Sequence, residues 1–171
     1  MTGKLFYGSQ TGTTTEIASQ IQAQLADLIS EAKNIYGTKA QEIDSCDLLV
    51  LGGSTWGDGE LTDDWQDALH LLDQVDFKNK VVALFQLGDQ FGYTYNFVSA
   101  MKIIYDKVKE RGGKIIADQV STDGFDFEHS EAVVDGKFVG LVIDEVNQPD
   151  QTASRIENWA QAVRQGISTA V

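Results

Sequence analysis

The chain has 171 residues, 42% of them hydrophobic, with 13 Lys and Arg against 26 Asp and Glu and a formal charge of −13, which suits one domain over residues 1–171 with a full core. The acidic excess speaks against nucleic acid and anionic membrane as partners, because both reward cations, and it suits a basic protein partner. A single cysteine, Cys46, excludes an internal disulfide and a four-cysteine metal site, no apolar run reaches the ~18 residues of a membrane helix, and the reading is a reducing, cytoplasmic setting with no membrane insertion.

The first predicted element is a short strand, Lys4-Leu5-Phe6-Tyr7, followed by Gly8-Ser9-Gln10-Thr11-Gly12-Thr13-Thr14 and a helix over residues 16–29. Hydroxyls and backbone N–H groups gather where a helix begins, and a helix start carries about half a positive charge and several unpaired donors. The segment is therefore a candidate cradle for a dianion that contains no basic residue. Thr13 and Glu16 are spaced as a capping box. The lysine of a nucleoside-triphosphate loop is absent, and so is the dinucleotide Gly-x-Gly-x-x-Gly. A terminal monophosphate fits better.

Further apolar runs at residues 32–36, 48–51, 81–85 and 114–117 read as buried parallel strands. Between them fall helical patterns through Trp65, Leu69 and Leu72, then through Phe97, Met101, Ile104 and Val108. A last helix through Ile156, Trp159, Ala160 and Val163 follows Pro149 and ends near Gly166. The alternation gives an α/β fold, an open parallel sheet with helices on both faces. Residues 121–141 break the alternation, and their glycines, aspartates and three phenylalanines, Phe125, Phe127 and Phe138, mark an insertion into or beside the last strand. His70 and His129 lack metal-ligand spacing and are predicted at the surface, whereas Trp65 and Trp159 fall at helical spacing and are predicted in the core.

Ligands of such sheets sit beyond the carboxyl ends of the strands where strand order reverses. In a 2-1-3-4-5 order the loops after the first, third and fourth strands meet there. The second of these carries Thr55-Trp56-Gly57-Asp58-Gly59-Glu60-Leu61, and the third Leu87-Gly88-Asp89-Gln90-Phe91-Gly92-Tyr93 and on to Asn96. Aromatic rings among turn residues at a strand end cost free energy unless something covers them. Two such loops beside a monophosphate cradle predict a flat ring held between them.

These three segments, in this order, resemble flavodoxins, and residues 121–141 resemble the extra loop of the long-chain subclass; the resemblance spans essentially the whole chain. It implies a flavodoxin-like three-layer sandwich with a five-stranded parallel sheet of order 2-1-3-4-5. It also implies a low-potential one-electron carrier that binds FMN non-covalently and shuttles electrons between a reductase or photosystem and acceptor enzymes. Carried over residue by residue, Ser9, Gln10, Thr11, Gly12, Thr13 and Thr14 would hold the phosphate. Trp56 would cover the inner ring face and Tyr93 the outer one, each pair adding roughly 1 kcal/mol beyond area burial. The backbone of Thr55, Gly57, Asp58 and Gly59 and of Leu87, Gly88 and Asp89 would meet the polar edge, with Asn96 beside it. No catalytic residue and no metal ligand is implied. The Gly57–Asp58 peptide would turn over on one-electron reduction of the flavin, a turn that glycine allows at little steric cost.

Asp58, Glu60, Asp63, Asp64, Asp67 and Asp89 lie in or just after the ring loops. A carboxylate ~10 Å from the anion of a fully reduced flavin, at an effective dielectric near 40, repels it by roughly 0.8 kcal/mol. That corresponds to roughly 30 mV per charge before screening. Asp67 is better read as part of a solvated helix face. After Ile143 the chain reads Asp144-Glu145-Val146-Asn147, and Val146 departs from the acid that the family often has there. The implied partners are basic redox proteins such as a ferredoxin/flavodoxin–NADP reductase, met in transient electrostatic complexes by a monomer. Two other functional classes make demands that the chain does not meet. An FMN-dependent NAD(P)H:quinone reductase would need a nicotinamide site for which no motif stands here. A receiver domain would need paired acids after the first strand, where Gly8-Ser9-Gln10 stands instead.

Overall fold

The computed structural model describes residues 1–9, 11–56 and 58–170, with Trp56 described by its backbone alone. The first apolar run forms β1 (Gly3–Tyr7), and α1 (Thr13–Gln24) and β2 (Ala32–Asn34) follow. Next come α2 (Ala40–Asp44), β3 (Leu48–Trp56), β4 (Glu60–Leu61) and α3 (Asp63–Ala68), which tightens into a 3-10 turn over Leu69–Gln74. The second half holds β5 (Val81–Leu87), α4 (Ala100–Glu110), β6 (Lys114–Ile115), the small hairpin β7 (Val133–Val134) and β8 (Lys137–Phe138), β9 (Leu141–Ile143) and α5 (Thr152–Ala170).

The parallel sheet runs β2-β1-β3-β5, and both β6 and β9 complete it on the far side of β5. The fifth strand of the expected order is thus made of two pieces. β6 pairs with the start of β5 and β9 with its end, and residues 116–140 loop out between them. β4 returns antiparallel on the end of β3.

Strand side chains alternate between two cores, as the pleat requires. Leu5, Leu48, Val50, Ala83 and Phe85 face α1 and α5 with Ile17, Ile21, Ile156 and Trp159. Phe6, Leu49, Leu51, Val82 and Leu84 face the other way, onto Trp65, Leu72, Met101, Ile104 and Val108 of α3, its 3-10 turn and α4. The insertion joins this second core through four rings. Phe138 lies 6.0 Å from Phe97, 5.5 Å from Phe125 and 5.4 Å from Phe127, centroid to centroid. Cys46 is buried, and burial pushes its thiol up, which makes it inert at neutral pH.

Several elements depart from the bounds read from the sequence: β3 and β5 run on to Trp56 and Leu87, β6 stops at Ile115 rather than residue 117, and α4 starts at Ala100 rather than at Phe97. β2 stops at Asn34 rather than residue 36, because it is an edge strand with one neighbour and half-buried residues. α1 spans Thr13–Gln24 rather than residues 16–29. Leu25 leaves helical geometry (ψ 29), and the Gln22 side chain then donates to the Ile29 carbonyl, 3.0 Å. α5 runs through Gly166 rather than ending there. A Cβ at Gly166 would lie 2.8 Å from that of Ile116, so the glycine permits close packing instead of capping the helix.

Arg164 of α5 grips Asp27, just past α1, with both arms of its guanidinium, 2.8 Å each. That hydrogen-bonded pair holds the Asp27 carboxyl down from 3.8 to about 2. A lowered carboxyl stabilises the fold at pH above its ordinary value and loses that contribution as pH falls. The stability difference between the parent and Asp27→Asn should therefore be constant from neutral pH down to the carboxylate range, and vanish as pH falls toward about 2. Urea midpoints across pH check this. Both partners are solvent-exposed, so the difference is small.

Candidate functional site

The register sets Tyr7 opposite Gly52, Ser54 opposite Leu87, and Leu87 opposite Ile143. The loops after β1, β3, β5 and β9 therefore leave the sheet side by side at its carboxyl edge. A cavity of about 260 Å³ lies there, lined by Thr11, Thr13, Ser54, Thr55, Leu87, Gly88, Asp89, Tyr93, Glu145 and Val146.

The first loop is laid flat over the sheet. The Gly8 N–H donates to the Gly52 carbonyl, 3.1 Å. A Cβ at Gly8 would stand 2.5 Å from the Thr62 hydroxyl and 2.7 Å from the Trp65 ring. Trp65 is fully buried and donates its indole N–H to the Gly52 carbonyl, 2.8 Å, so it fixes the floor below the loop. The Ser9 N–H donates to the Asp64 carboxylate, 3.3 Å, and the Ser9 hydroxyl accepts from the Gly12 N–H, 3.0 Å. Gly12 adopts φ 88 and turns the chain into α1. Thr13 is already the first helical residue, so the expected Thr13–Glu16 capping box does not form; the Glu16 N–H bonds the Gly12 carbonyl instead, 3.3 Å. The first-turn N–H groups of α1 keep no helical acceptor. Thr11 and Thr13 line the cavity, while Thr14 is buried with its hydroxyl 2.6 Å from that of Ser54. Gln10 lies outside the described residues.

In the second loop Thr55 is held by the Gln86 amide, which donates to its hydroxyl, 3.0 Å. The β3–β4 hairpin pairs Trp56 with Glu60 through the backbone. The Trp56 side chain and Gly57 lie outside the described residues. Asp58 is exposed. Gly59 sits at φ 88 with room for a Cβ only 3.1 Å from Ser99 and 3.6 Å from Asn96, which brings this hairpin against the third loop.

The third loop is organised by Asp89. Its carboxylate accepts from the N–H groups of Phe91, 3.1 Å, and Gly92, 2.8 Å, and from the Asn147 amide, 2.8 Å. Burial works to raise this carboxyl, but those donors together outweigh it and hold it below the usual range, so a full negative charge stands at the cavity wall. Gln90 is buried and spans two neighbours. Its backbone N–H and side-chain amide donate to Asp144, 3.1 and 2.7 Å, and its carbonyl accepts from the Asp126 N–H of the insertion, 2.7 Å. The insertion runs on alongside: the Glu128 and His129 N–H groups bond the Thr94 carbonyl at 2.9 Å, and Phe97 bonds His129, 3.2 Å. Tyr93 is 42% exposed beside Phe91 at 61%, Tyr95 at 68% and Val146 at 69%. This rim is apolar, of a kind that marks a contact surface.

The structure therefore brings Thr11, Thr13, Thr55, Leu87, Gly88, Asp89 and Tyr93 to one cavity. Ser9, Gly12 and Thr14 support its cradle end, whereas Asp58, Gly59 and Asn96 are not among its lining residues. Sequence reasoning left out three lining residues, Ser54, Glu145 and Val146. Their signal was positional: Ser54 is the last residue of β3 in register with β5, at the switch point, and the last two follow the final strand. Val146 puts an uncharged side chain in this wall, next to the carboxylate-bearing Glu145.

Three comparisons with known proteins agree. A family model described as "Flavodoxin" matches residues 5–159. The flavodoxin of a Nostoc species is 41% identical over 160 residues, 94% of each chain, and flavodoxin 1 of Azotobacter vinelandii is 40% identical over 169 residues, again 94% of each. Among solved structures, that of Fusobacterium nucleatum flavodoxin bound to flavin mononucleotide superposes with a TM-score of 0.89 at 34% identity, covering 96% of this chain and 97% of that one.

Proposed function

The chain belongs to the flavodoxin family, whose members are FMN-binding electron carriers rather than enzymes, and from that premise we propose how its own residues hold the cofactor and whom it serves. The observation that carries the reading is one cavity that joins the start of α1 to the Tyr93 loop. The donor set fits the group. A helix start with Thr11 and Thr13 and no basic side chain among the lining residues suits a phosphate dianion. Tyr93, Leu87 and Gly88 offer a flat, largely apolar wall for a ring.

In this reading Ser9, Gln10, Thr11, Gly12, Thr13 and Thr14 hold the phosphate, with Thr14 acting through Ser54. Trp56 and Tyr93 flank the ring, and Thr55, Gly57, Asp58, Gly59, Leu87, Gly88, Asp89 and Asn96 surround its polar edge. Bound FMN supplies the one-electron chemistry. The chain's part is to orient the ring and to set its charge environment. Asp89, Glu145 and the exposed Asp58, Glu60 and Asp63 oppose added negative charge, which makes the carrier a strong reductant. Neutralising Asp58, Glu60 and Asp63 together as Asn, Gln and Asn should raise the more negative midpoint potential by tens of millivolts, at roughly 30 mV per charge before screening. Spectroelectrochemical titration at low salt reads it, and an unmoved potential would defeat the electrostatic account.

The residues between β6 and β9 support the long-chain subclass. The apolar rim of Phe91, Tyr93, Tyr95 and Val146, on a chain of charge −13, suits brief docking to a basic reductase of the ferredoxin/flavodoxin–NADP type, by a monomeric cytoplasmic carrier of one domain over residues 1–171. None of the described helices is long and apolar enough to cross a membrane. The direct test is the visible spectrum of the purified protein. Yellow protein that NADPH alone does not bleach under anaerobic conditions is the expected result. Colourless protein that does not take up FMN at micromolar levels sinks the reading.

A further inference from the structure

A second cavity, of about 350 Å³, lies away from the first, between β9, α5 and the start of the insertion. Arg155 and Trp159 are four residues apart on α5 and share one helix face. Both line this cavity. Trp159 is 3% exposed, and its indole N–H, which can only donate, meets no acceptor among the described residues. The Arg155 Nη1 is equally buried and equally unpartnered. Its Nη2 donates to a neutral group, the Gln148 carbonyl, 2.7 Å, and its guanidinium lies 4.0 Å above the Phe125 ring. Among the described residues Arg155 belongs to no ion pair, although the chain has twice as many acids as bases. Asp144 and Asp150 act on it only from a distance, and burial works against its charge.

Two buried donors, one of them cationic, ask for an acceptor that carries negative charge. The remaining wall is mixed: Phe125, Leu141 and Val142 form its apolar part, Gln119, Ser121 and Asn158 add neutral polar groups, and Asp123 stands exposed at its edge. We propose that this cavity binds a small organic monocarboxylate with an apolar body. The carboxylate accepts from Trp159 Nε1 and Arg155 Nη1, the body lies against Phe125 and Val142, and the Asp123 carboxylate disfavours a second negative group. This site is separate from the one assigned to FMN and does not depend on that assignment.

The experiment uses the full chain with FMN in excess, so that the first cavity is filled, and benzoate as the probe. The indole N–H resonance of Trp159, assigned by its absence in Trp159→Phe, is followed by two-dimensional NMR. Benzoate should shift it saturably, with a Kd of about 1 mM. Arg155→Gln should weaken binding roughly tenfold, with Arg155→Lys between the two. Benzyl alcohol and phthalate should shift it far less than benzoate, and this comparison needs no variant to fold. The proposal is overturned if benzoate gives no saturable shift up to about 50 mM, far above that Kd. It is also overturned if Arg155→Gln binds as the parent does, or if benzyl alcohol or phthalate matches benzoate.

Discussion

Replacing Asp144 by alanine should lower the stability of the FMN-free protein by about 3 kcal/mol and weaken FMN binding roughly tenfold. Asp144 is completely buried, and its carboxylate accepts four hydrogen bonds. Two come from Gln90, at 3.1 and 2.7 Å, and two from Asn147, at 3.0 Å from the backbone and 2.9 Å from the side chain. Removing a buried acceptor leaves its donors to bear their desolvation, about 1–3 kcal/mol each where water does not enter. The effect on FMN follows from what those donors do. Gln90 and Asn147 hold Asp89 and the Tyr93 loop in place, so losing the anchor frees a cavity wall. Ordering that wall again on binding costs affinity. Urea unfolding of the apoprotein and fluorescence titration with FMN measure the two quantities separately. If the midpoint and the Kd both match the parent, Asp144 is not the anchor.

Phe138→Ala should cost about 3–5 kcal/mol, the usual range for a buried phenylalanine. Its ring is fully buried and meets Phe97, Phe125 and Phe127. Its backbone also exchanges two hydrogen bonds with Val120, 3.1 and 2.8 Å, which tie the two ends of the insertion together. The loss should be local before it is global. Hydrogen exchange at the Val120 and Phe138 amides should rise by orders of magnitude while that of Val82 and Leu84 in β5 changes less. Uniform acceleration across all four amides would show that the insertion opens only with the whole fold.

Much of this architecture was legible because the physics behind it is local. Residues 48–51 and 81–85 are apolar at every position, as strands covered on both faces must be, and the alternating cores follow from the pleat. Short elements were illegible for the same reason. β4 has two residues and α2 five, too few for any periodicity. The start of α1 misled because a Thr-x-x-Glu spacing is compatible with a cap at residue 13, whereas Gly12, free to take a positive φ, ends the loop one residue earlier. At the site, loop residues announced themselves by type: threonines at a helix start, aromatic rings among glycines. The brace behind them did not. Gln90 and Asp144 are 54 residues apart, and nothing in either neighbourhood signals the other.

The two-piece fifth strand has a consequence for chain length. Ile115 stands beside Val82 and Leu141 beside Phe85, so only Ala83 and Leu84 separate the two pieces along β5. Ile116 already bonds the Val82 carbonyl, and Gly140 already abuts the Leu84 carbonyl. Splicing residue 116 directly to residue 140 would yield one unbroken ladder with no change of register. The tract in between is an appendage in the topological sense, excisable without cutting the sheet. Its removal would strip the outer buttress from Gln90 and Thr94 and take Phe138 and Val139 out of the second core, so a trimmed protein would keep an unbroken ladder but lose packing and the stiffness of its cavity wall.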